Sequence, residues 1–342
     1  MTTPHKHSHP AAPITSGRRV RRALTALALL LVASAAASLL IGAGTITPQH
    51  ILTALTSGDL ESPAGALALY VRLPRVALAA LIGAALGIAG NLMQLLTRNP
   101  LASPQTLGIN GCAALAMVLA IVLEVPWDAG VLPAFIGAAL GAAFIALLSM
   151  GVARGTVVLA LAGLALHLLT TAMVQAITVL NDAAVDVVFW LNGSLAGSQW
   201  MDVRAAAPGI LVGIGITLIY TRQIQALGLG REVVLSLGQS YARTTAGVTA
   251  LVVVLAGSAV AVAGPIGFIG LVIPHLVRAL IGKNPTWELP LCGLAGASLL
   301  LIADSASRVI LWPSETPVGI LTALVGAPAF LVLARRSIKE RA

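Results

Sequence analysis

The chain has 342 residues, 58% of them hydrophobic and 9% charged, with 20 Lys and Arg against 12 Asp and Glu for a net charge of +8. Soluble domains carry about 25% charged residues, so this composition and a mean hydropathy of +0.96 exclude a soluble enzyme and argue against nucleic acid as the partner of the basic excess. The two cysteines, Cys112 and Cys292, fall inside apolar runs and form neither a disulfide framework nor a thiolate metal site.

Residues 1–17 are rich in His, Pro, Ser and Thr and are expected to be a disordered cytoplasmic tail. His5, His7 and His9 alternate within it and read as solvated rather than as a metal site. From residue 18 to residue 342 the chain reads as a single transmembrane domain, with no soluble insert long enough to fold. A spanning helix needs about 20 mostly apolar residues. Candidate spans lie at 22–43, 76–96, 105–123, 130–150, 156–179, 205–220, 244–262, 266–282, 289–311 and 317–334. These runs are continuous rather than alternating, which selects helices over a β-barrel, since lipid offers backbone groups no partner. The fold class expected is therefore all-α, with about ten transmembrane helices in one compact bundle.

The first run begins like a signal peptide, with a basic start and small residues around Ala33–Ala37. It continues to Ile41, long enough to span, and is read as a retained helix. Arg18, Arg19, Arg21 and Arg22 precede it and place the N-terminus in the cytoplasm. Counting spans then puts Arg98, Arg154, the basic stretch from Arg222 to Arg243, Arg278 with Lys283, and the tail from Arg335 to Arg341 on the inside. Asp59, Glu61, Glu124, Asp128, Asp182, Asp186 and Glu315 fall outside. This parity needs a tight external turn at Gly264–Gly267, because a single span over 244–273 would send the basic C-terminus out.

Small residues recur as Gly83-x-x-x-Gly87 and Gly137-x-x-x-Gly141. Such spacing lets helix backbones approach closely where lipid supplies no hydrophobic drive. The longest cytoplasmic segment is 221–243, with the core Ile224-Gln-Ala-Leu-Gly-Leu-Gly-Arg-Glu-Val-Val-Leu-Ser-Leu-Gly238. It has the scale of a helix lying on the membrane face and docking into a partner, near 224–240. The alternative is an interfacial amphipathic loop with no partner.

No Gly-x4-Gly-Lys-[Ser/Thr] loop and no His-Glu-x-x-His motif occurs, and Gly193-Ser194 lacks the frame of a nucleophile elbow. The chain is thus not expected to be an enzyme, and ATP hydrolysis, if it drives transport, belongs to another chain. Within the spans, Asp304 and Arg308 stand at i and i+4 on one helix face and can pair. An intramembrane charge is costly and usually functional. His167 and His275 are isolated and read as packing residues.

Several motifs in fixed order carry a resemblance. Arg72-Leu-Pro-Arg75, Gly90-Asn-Leu-Met-Gln94, Arg98-Asn-Pro-Leu-Ala102 with the break through Gly108, Trp190-Leu-Asn-Gly-Ser-Leu-Ala-Gly-Ser-Gln-Trp200, and Gly264-Pro-Ile-Gly-Phe-Ile-Gly-Leu-Val-Ile-Pro-His275-Leu-Val-Arg278 are followed by Ala303-Asp304-Ser-Ala-Ser-Arg308, Glu315-Thr-Pro-Val-Gly319 and Gly326-Ala-Pro-Ala-Phe330. Over roughly 60–335 the chain resembles the membrane permeases of ABC importers for iron-siderophore complexes, haem and cobalamin.

The resemblance implies a type II ABC importer permease fold in the cytoplasmic (inner) membrane, with both termini inside. It implies a second permease subunit, two ABC ATPase subunits, and an extracytoplasmic substrate-binding protein. The chain would bind no cofactor or metal itself, with ATP and Mg on the ATPase and a ferric chelate as cargo. It assigns docking of the binding protein to Arg72, Arg75 and Arg308, whose guanidinium forks suit carboxylates. It assigns ATPase coupling to Leu227, Gly230, Arg231, Glu232, Leu237 and Gly238. It marks Gln94, Arg98, Asn99, Pro100, Trp190, Pro274, His275, Arg278, Asp304 and Glu315 as motif or pathway candidates. The segment after Gly230 departs from the family, which usually shows Gly-Glu/Asp-Glu-x-Ala where this chain has Arg231-Glu232-Val233-Val234.

Haem and cobalamin are the rival cargoes within that mechanism. A zinc or manganese permease would carry His/Asp clusters inside its spans. A proton-coupled secondary carrier is the rival of a different class, and an intramembrane hydrolase lacks its nucleophile-base pair here.

Overall fold

The computed structural model describes residues 17–42, 47–59, 61–125, 132–150, 156–181, 191–282, 284–311 and 314–339, and every regular element among them is helical. Trp190, Asp128, Arg154, Asp182, Asp186, Lys283, Arg341 and residues 1–16 lie outside the described set.

In chain order the helices are α1 (Gly17–Leu40), α2 (Pro48–Ser57), α3 (Pro63–Ala66) and α4 (Leu73–Thr97), the last two joined by a π-helical stretch at Leu67–Arg72. A 3-10 turn at Pro104–Leu107 leads into α5 (Ile109–Val122), α6 (Leu132–Met150) and α7 (Thr156–Leu180). Next come α8 (Trp200–Ile219), α9 (Thr221–Leu229), α10 (Arg231–Ser236), α11 (Tyr241–Ala263), α12 (Ile269–Ile281), α13 (Pro285–Ser307) and α14 (Val318–Lys339).

Six of these helical segments are long and apolar enough to cross a membrane, and four shorter apolar helices, Ile109–Val122, Leu132–Ile145, Ile269–Ile281 and Val318–Pro328, fall where further spans are expected. Together they account for the ten predicted spans. The break predicted at Gly264–Gly267 is present: α11 stops at Ala263 and Gly264 adopts φ 69°, with α12 beginning at Ile269. Several boundaries shift by a few residues, and two of the shifts have a local cause. The second span does not begin at residue 76 but runs as one helical rod from Pro63, because the π turn already interrupts the i to i−4 ladder where Pro74 lacks its N–H. The third begins at Ile109 rather than 105, because Pro104 and Gly108 shape a separate 3-10 turn.

The bundle is built around α4. Its sequence is apolar on all sides, the signature of a helix enclosed by others, and it packs against α8, α11, α12 and α13. Its most extensive packing is against α13, which runs antiparallel to it. A Cβ at Gly83 would overlap the Gly296 carbonyl oxygen, and one at Gly87 the Cys292 carbonyl oxygen. Gly90 meets Gly270 of α12 in the same way. The second glycine pair closes α6 on α5, with Gly137 and Gly141 both against Cys112. Small residues thus do here what a hydrophobic drive does in water: they admit backbone-to-backbone packing.

Candidate functional site

Two polar clusters sit in this apolar frame, one at each end of the α4–α13 pair. At the Glu315 end, Asp304 of α13 is fully buried. Its Oδ1 accepts from Arg75 Nε and Nη2, each at 2.9 Å, and its Oδ2 accepts from Arg308 Nη2. Arg75 also donates through Nη1 to Glu315 Oε2 at 2.8 Å. The expected Asp304–Arg308 pairing is therefore present, and the sequence reading missed its second guanidinium, Arg75.

The remaining positive charge is spent on α1. Arg308 Nη1 donates to the Ser38 carbonyl and Nη2 to the Ser38 hydroxyl, both at 2.9 Å. Arg72 Nη1 donates to the carbonyls of Leu39 at 3.0 Å and Leu40 at 2.7 Å. The last carbonyls of a helix lack intrahelical partners and carry the negative end of its dipole. Two guanidiniums on that end fasten α1 to α4 and α13.

The three arginines assigned to docking by the resemblance make their contacts within this chain. Arg72, Arg75 and Arg308 are 4%, 7% and 3% exposed and are engaged inside the chain. As placed, they offer no guanidinium fork to a protein docking from outside. Burial makes an unpaired guanidinium costly, so internal carboxylates and carbonyls take most of the donors, with Arg308 Nε left buried and unpartnered. Glu315 is the half-open member of the cluster, its side chain 32% exposed.

At the Arg98 end, Glu288 of α13 accepts from Arg278 Nη1 at 2.9 Å and from Asn91 Nδ2 at 2.6 Å, both on Oε1. Arg278 Nη2 also donates to Gln94 Oε1. Gln94 Nε2 donates to the Leu271 carbonyl at 3.3 Å, which His275 Nδ1 approaches at 3.1 Å. Pro274 lies buried in that same turn of α12, where its missing N–H removes one rung of the ladder. Gln94, Pro274, His275 and Arg278, marked separately by motif, thus converge on one place. Glu288 and Asn91 were missed. Glu288 is an acid among the bases of its side of the chain, which was a usable signal. Asn91 sat unremarked inside the Gly90–Gln94 motif.

Beside this cluster, Arg98 ends α4 in a left-handed conformation with φ 49°, and Asn99 Oδ1 accepts from the Leu101 N–H at 3.0 Å. Arg98 and Asn99 are exposed and Pro100 half-buried, forming a tight polar turn. The segment expected as one docking helix is two, because Gly230 takes φ 110° and ψ 166°, a backbone state open to glycine and strained for other residues. α9 packs on α4 and α13. Leu227 and Gly230 face the bundle, whereas Arg231, Glu232, Leu237 and Gly238 face outward. Leu237 is 60% exposed and Leu235 51%, next to the guanidinium of Arg231 lying 6.0 Å from the Tyr241 ring centroid.

The Trp-to-Trp segment, described from Leu191, ties three elements at the opposite end. The Ser194 N–H donates to the Ala263 carbonyl at 2.9 Å, and the Gly319 N–H to the Gly193 carbonyl at 3.0 Å. Trp200 Nε1 donates to the Leu69 carbonyl in the π turn at 3.0 Å.

This arrangement has close relatives. The sequence profile of the FecCD transport family matches residues 29–336. The Fe(3+)-citrate import system permease protein YfmD of Bacillus subtilis is 44% identical over 268 residues, covering 78% of this chain and 80% of that protein. The ferric enterobactin transport system permease protein FepD of Escherichia coli is 38% identical over 322 residues, covering 93% and 96%. A solved structure described as an inward-facing conformation of a metal-chelate type ABC transporter superposes with a TM-score of 0.80 at 31% identity, over 92% of this chain and 99% of that one. The fold, the motif order and the near full-length matches agree that this multi-pass membrane protein belongs to the FecCD transport family of ABC importer permeases.

Proposed function

We propose that the chain is the membrane-spanning subunit that carries an iron(III) chelate, of the siderophore class, across the cytoplasmic membrane. A separate ATPase energises it and an extracytoplasmic binding protein feeds it. The observation that carries this reading is the pairing of an outward-facing apolar and charged segment, α9 and α10, with a transmembrane bundle whose relatives are named for iron-citrate and iron-enterobactin import. Leu235 and Leu237 are exposed at a helix end flanked by Arg231 and Glu232, a surface suited to a protein partner rather than to lipid. In this orientation the Arg98 end is cytoplasmic, as the positive-inside tendency requires, and the Glu315 end meets the binding protein.

A second permease copy is supported by α7. His167 and Gln175 are exposed on it and Thr171 between them is half-buried, a polar stripe spaced by four on an otherwise apolar helix. Polar groups facing lipid are expensive, so such a stripe belongs against a second subunit or a hydrated path. Homodimer and heterodimer both satisfy this geometry.

The test is purification from native membrane in gentle detergent, identification of co-purifying chains, and uptake of ferric citrate, ferric catecholate and ferric hydroxamate into vesicles. An ATPase in fixed ratio, with ATP-dependent uptake of one chelate, is the expected result. Haem or cobalamin uptake in the same assay would reassign the cargo. Uptake driven by a proton gradient without ATP would replace the mechanism by that of a secondary carrier.

A further inference from the structure

The buried polar cluster at the Arg98 end joins three helices through four side chains. Asn91 and Gln94 come from α4, Arg278 from α12 and Glu288 from α13. Apolar packing alone would hold these helices together at lower cost, since burying a charge pair sets desolvation against attraction. What directional bonds add is a defined relative position, because hydrogen-bonded networks adopt discrete arrangements rather than sliding continuously.

The cluster also adjoins the segment that meets the partner. A Cβ at Gly228 would lie 2.9 Å from Leu95 Cδ2, and one at Gly230 would lie 3.5 Å from Arg98 Nη1. Leu95 is the residue after Gln94. A push on α9 therefore arrives on the turn of α4 that holds the cluster, and α9 rests on α13 as well. At the far end the same two helices are clasped again by Arg75 and Asp304. Between the clasps, glycines bring the backbones together with no side chain to give way. One atom of the cluster is unfinished: Asn91 Oδ1 is buried and has no hydrogen-bond partner. Such an orphan is costly in one arrangement and is relieved if a second arrangement supplies a donor.

We propose that Gln94, Arg278, Glu288 and Asn91 form a joint that passes displacement of α9 and α10 to the α4–α13 pair, so that they position the transport helices without touching cargo. This inference rests on the ABC importer reading above. Arg278 is the moving hook: its fork holds Glu288 with one nitrogen and Gln94 with the other, and the second bond joins α12 to α4 beside the weaker Gln94–Leu271 contact.

The experiment reconstitutes the chain with its ATPase and binding protein in vesicles and measures cargo delivered per ATP hydrolysed. Gln94→Leu cuts the α4–α12 link and leaves the Arg278–Glu288 pair in place. It is expected to insert normally and to lower cargo per ATP by about tenfold, a typical size for coupling between two sites. Arg278→Lys keeps the charge opposite Glu288 but loses the fork, and is expected to do the same. A residue with only a structural role would lower uptake and hydrolysis together, in step with the folded amount, and that result in both variants would overturn the joint. Failure of both variants to insert would overturn it too, as a folding element. Wild-type vesicles that take up cargo without ATP would instead remove the importer reading, and the joint with it.

Discussion

Arg75 and Asp304 meet across α4 and α13 in the same register that brings Asn91 to Glu288, sixteen residues further along one helix and sixteen back along the other. Gly83 with Gly296 and Gly87 with Cys292 fall on that register between them. Sixteen helical residues span about 24 Å. Two antiparallel helices are thus fixed at one end by an ion pair, at the other by a hydrogen bond to a carboxylate, and along their length by backbone contact, the geometry of a rigid pair.

Removing the outer clasp is expected to be severe. Asp304→Asn leaves the guanidiniums of Arg75 and Arg308 buried against a neutral group, and breaking a buried pair from one side costs about 3–5 kcal/mol. The midpoint of thermal unfolding in detergent should fall accordingly. Arg75→Met combined with Asp304→Leu should cost less than the two single changes added together, because Arg75 is then no longer stranded, although Arg308 still loses its carboxylate. Simple additivity would show that the pair is not coupled.

Backbone contact between α4 and α13 leaves no room for a methyl group at Gly83, where a Cβ would overlap the Gly296 carbonyl. Gly83→Ala should destabilise by about 1–3 kcal/mol, the usual cost of overpacking. Gly215 of α8 has nothing within 4 Å of the same position. Gly215→Ala should be neutral or stabilising by up to about 1 kcal/mol, from helix propensity. The contrast in folded yield between these two variants checks that the contact, and not glycine itself, is what matters.

The spans were legible because apolar length is a strong signal. The pairings were less so. Asp304 and Arg308 are four residues apart on one helix, so periodicity alone brings them together. Arg75 lies more than two hundred residues from Asp304, and no local pattern announces that contact. The same distance hid Glu288 from Asn91. The motif around Arg72 and Arg75 pointed to charge at the Glu315 end, but the burial of those arginines is a property of the packed bundle. The segment around Gly230 reads in sequence as one docking helix, and only the φ of 110° at Gly230 shows that it is divided into two.

Because Arg72 holds the carbonyls of Leu39 and Leu40, its reversal should act on the fold before it acts on any partner. Arg72→Glu places a carboxylate against the negative end of α1 and loses two hydrogen bonds, together worth about 2 kcal/mol or more. The expected outcome is a lower folded yield by size-exclusion chromatography, with the folded fraction retaining its affinity for the binding protein. A normal yield with lost affinity would return Arg72 to the docking surface. Glu315→Gln, at the partly exposed member of the cluster, is the milder companion and should leave the yield within about twofold, as for most exposed substitutions.

The two halves of the 221–238 segment should respond in opposite ways. Leu237 is 60% exposed and makes no buried contact to lose, so Leu237→Asp should leave unfolding unchanged within about 0.5 kcal/mol. The same change places a charge in the face proposed for the ATPase, and truncating or charging an apolar anchor at an interface costs about 2 kcal/mol or more. Co-purification of the ATPase should therefore fall while the permease itself remains folded. Gly230→Val does the reverse: its backbone at φ 110° is strained for a branched residue at a cost of about 1–3 kcal/mol, so the break between α9 and α10 should loosen. Faster proteolysis within 224–236 would report it. If Leu237→Asp binds the ATPase as the wild type does, this face is not the docking surface, and the partner must grip elsewhere on the Arg98 end.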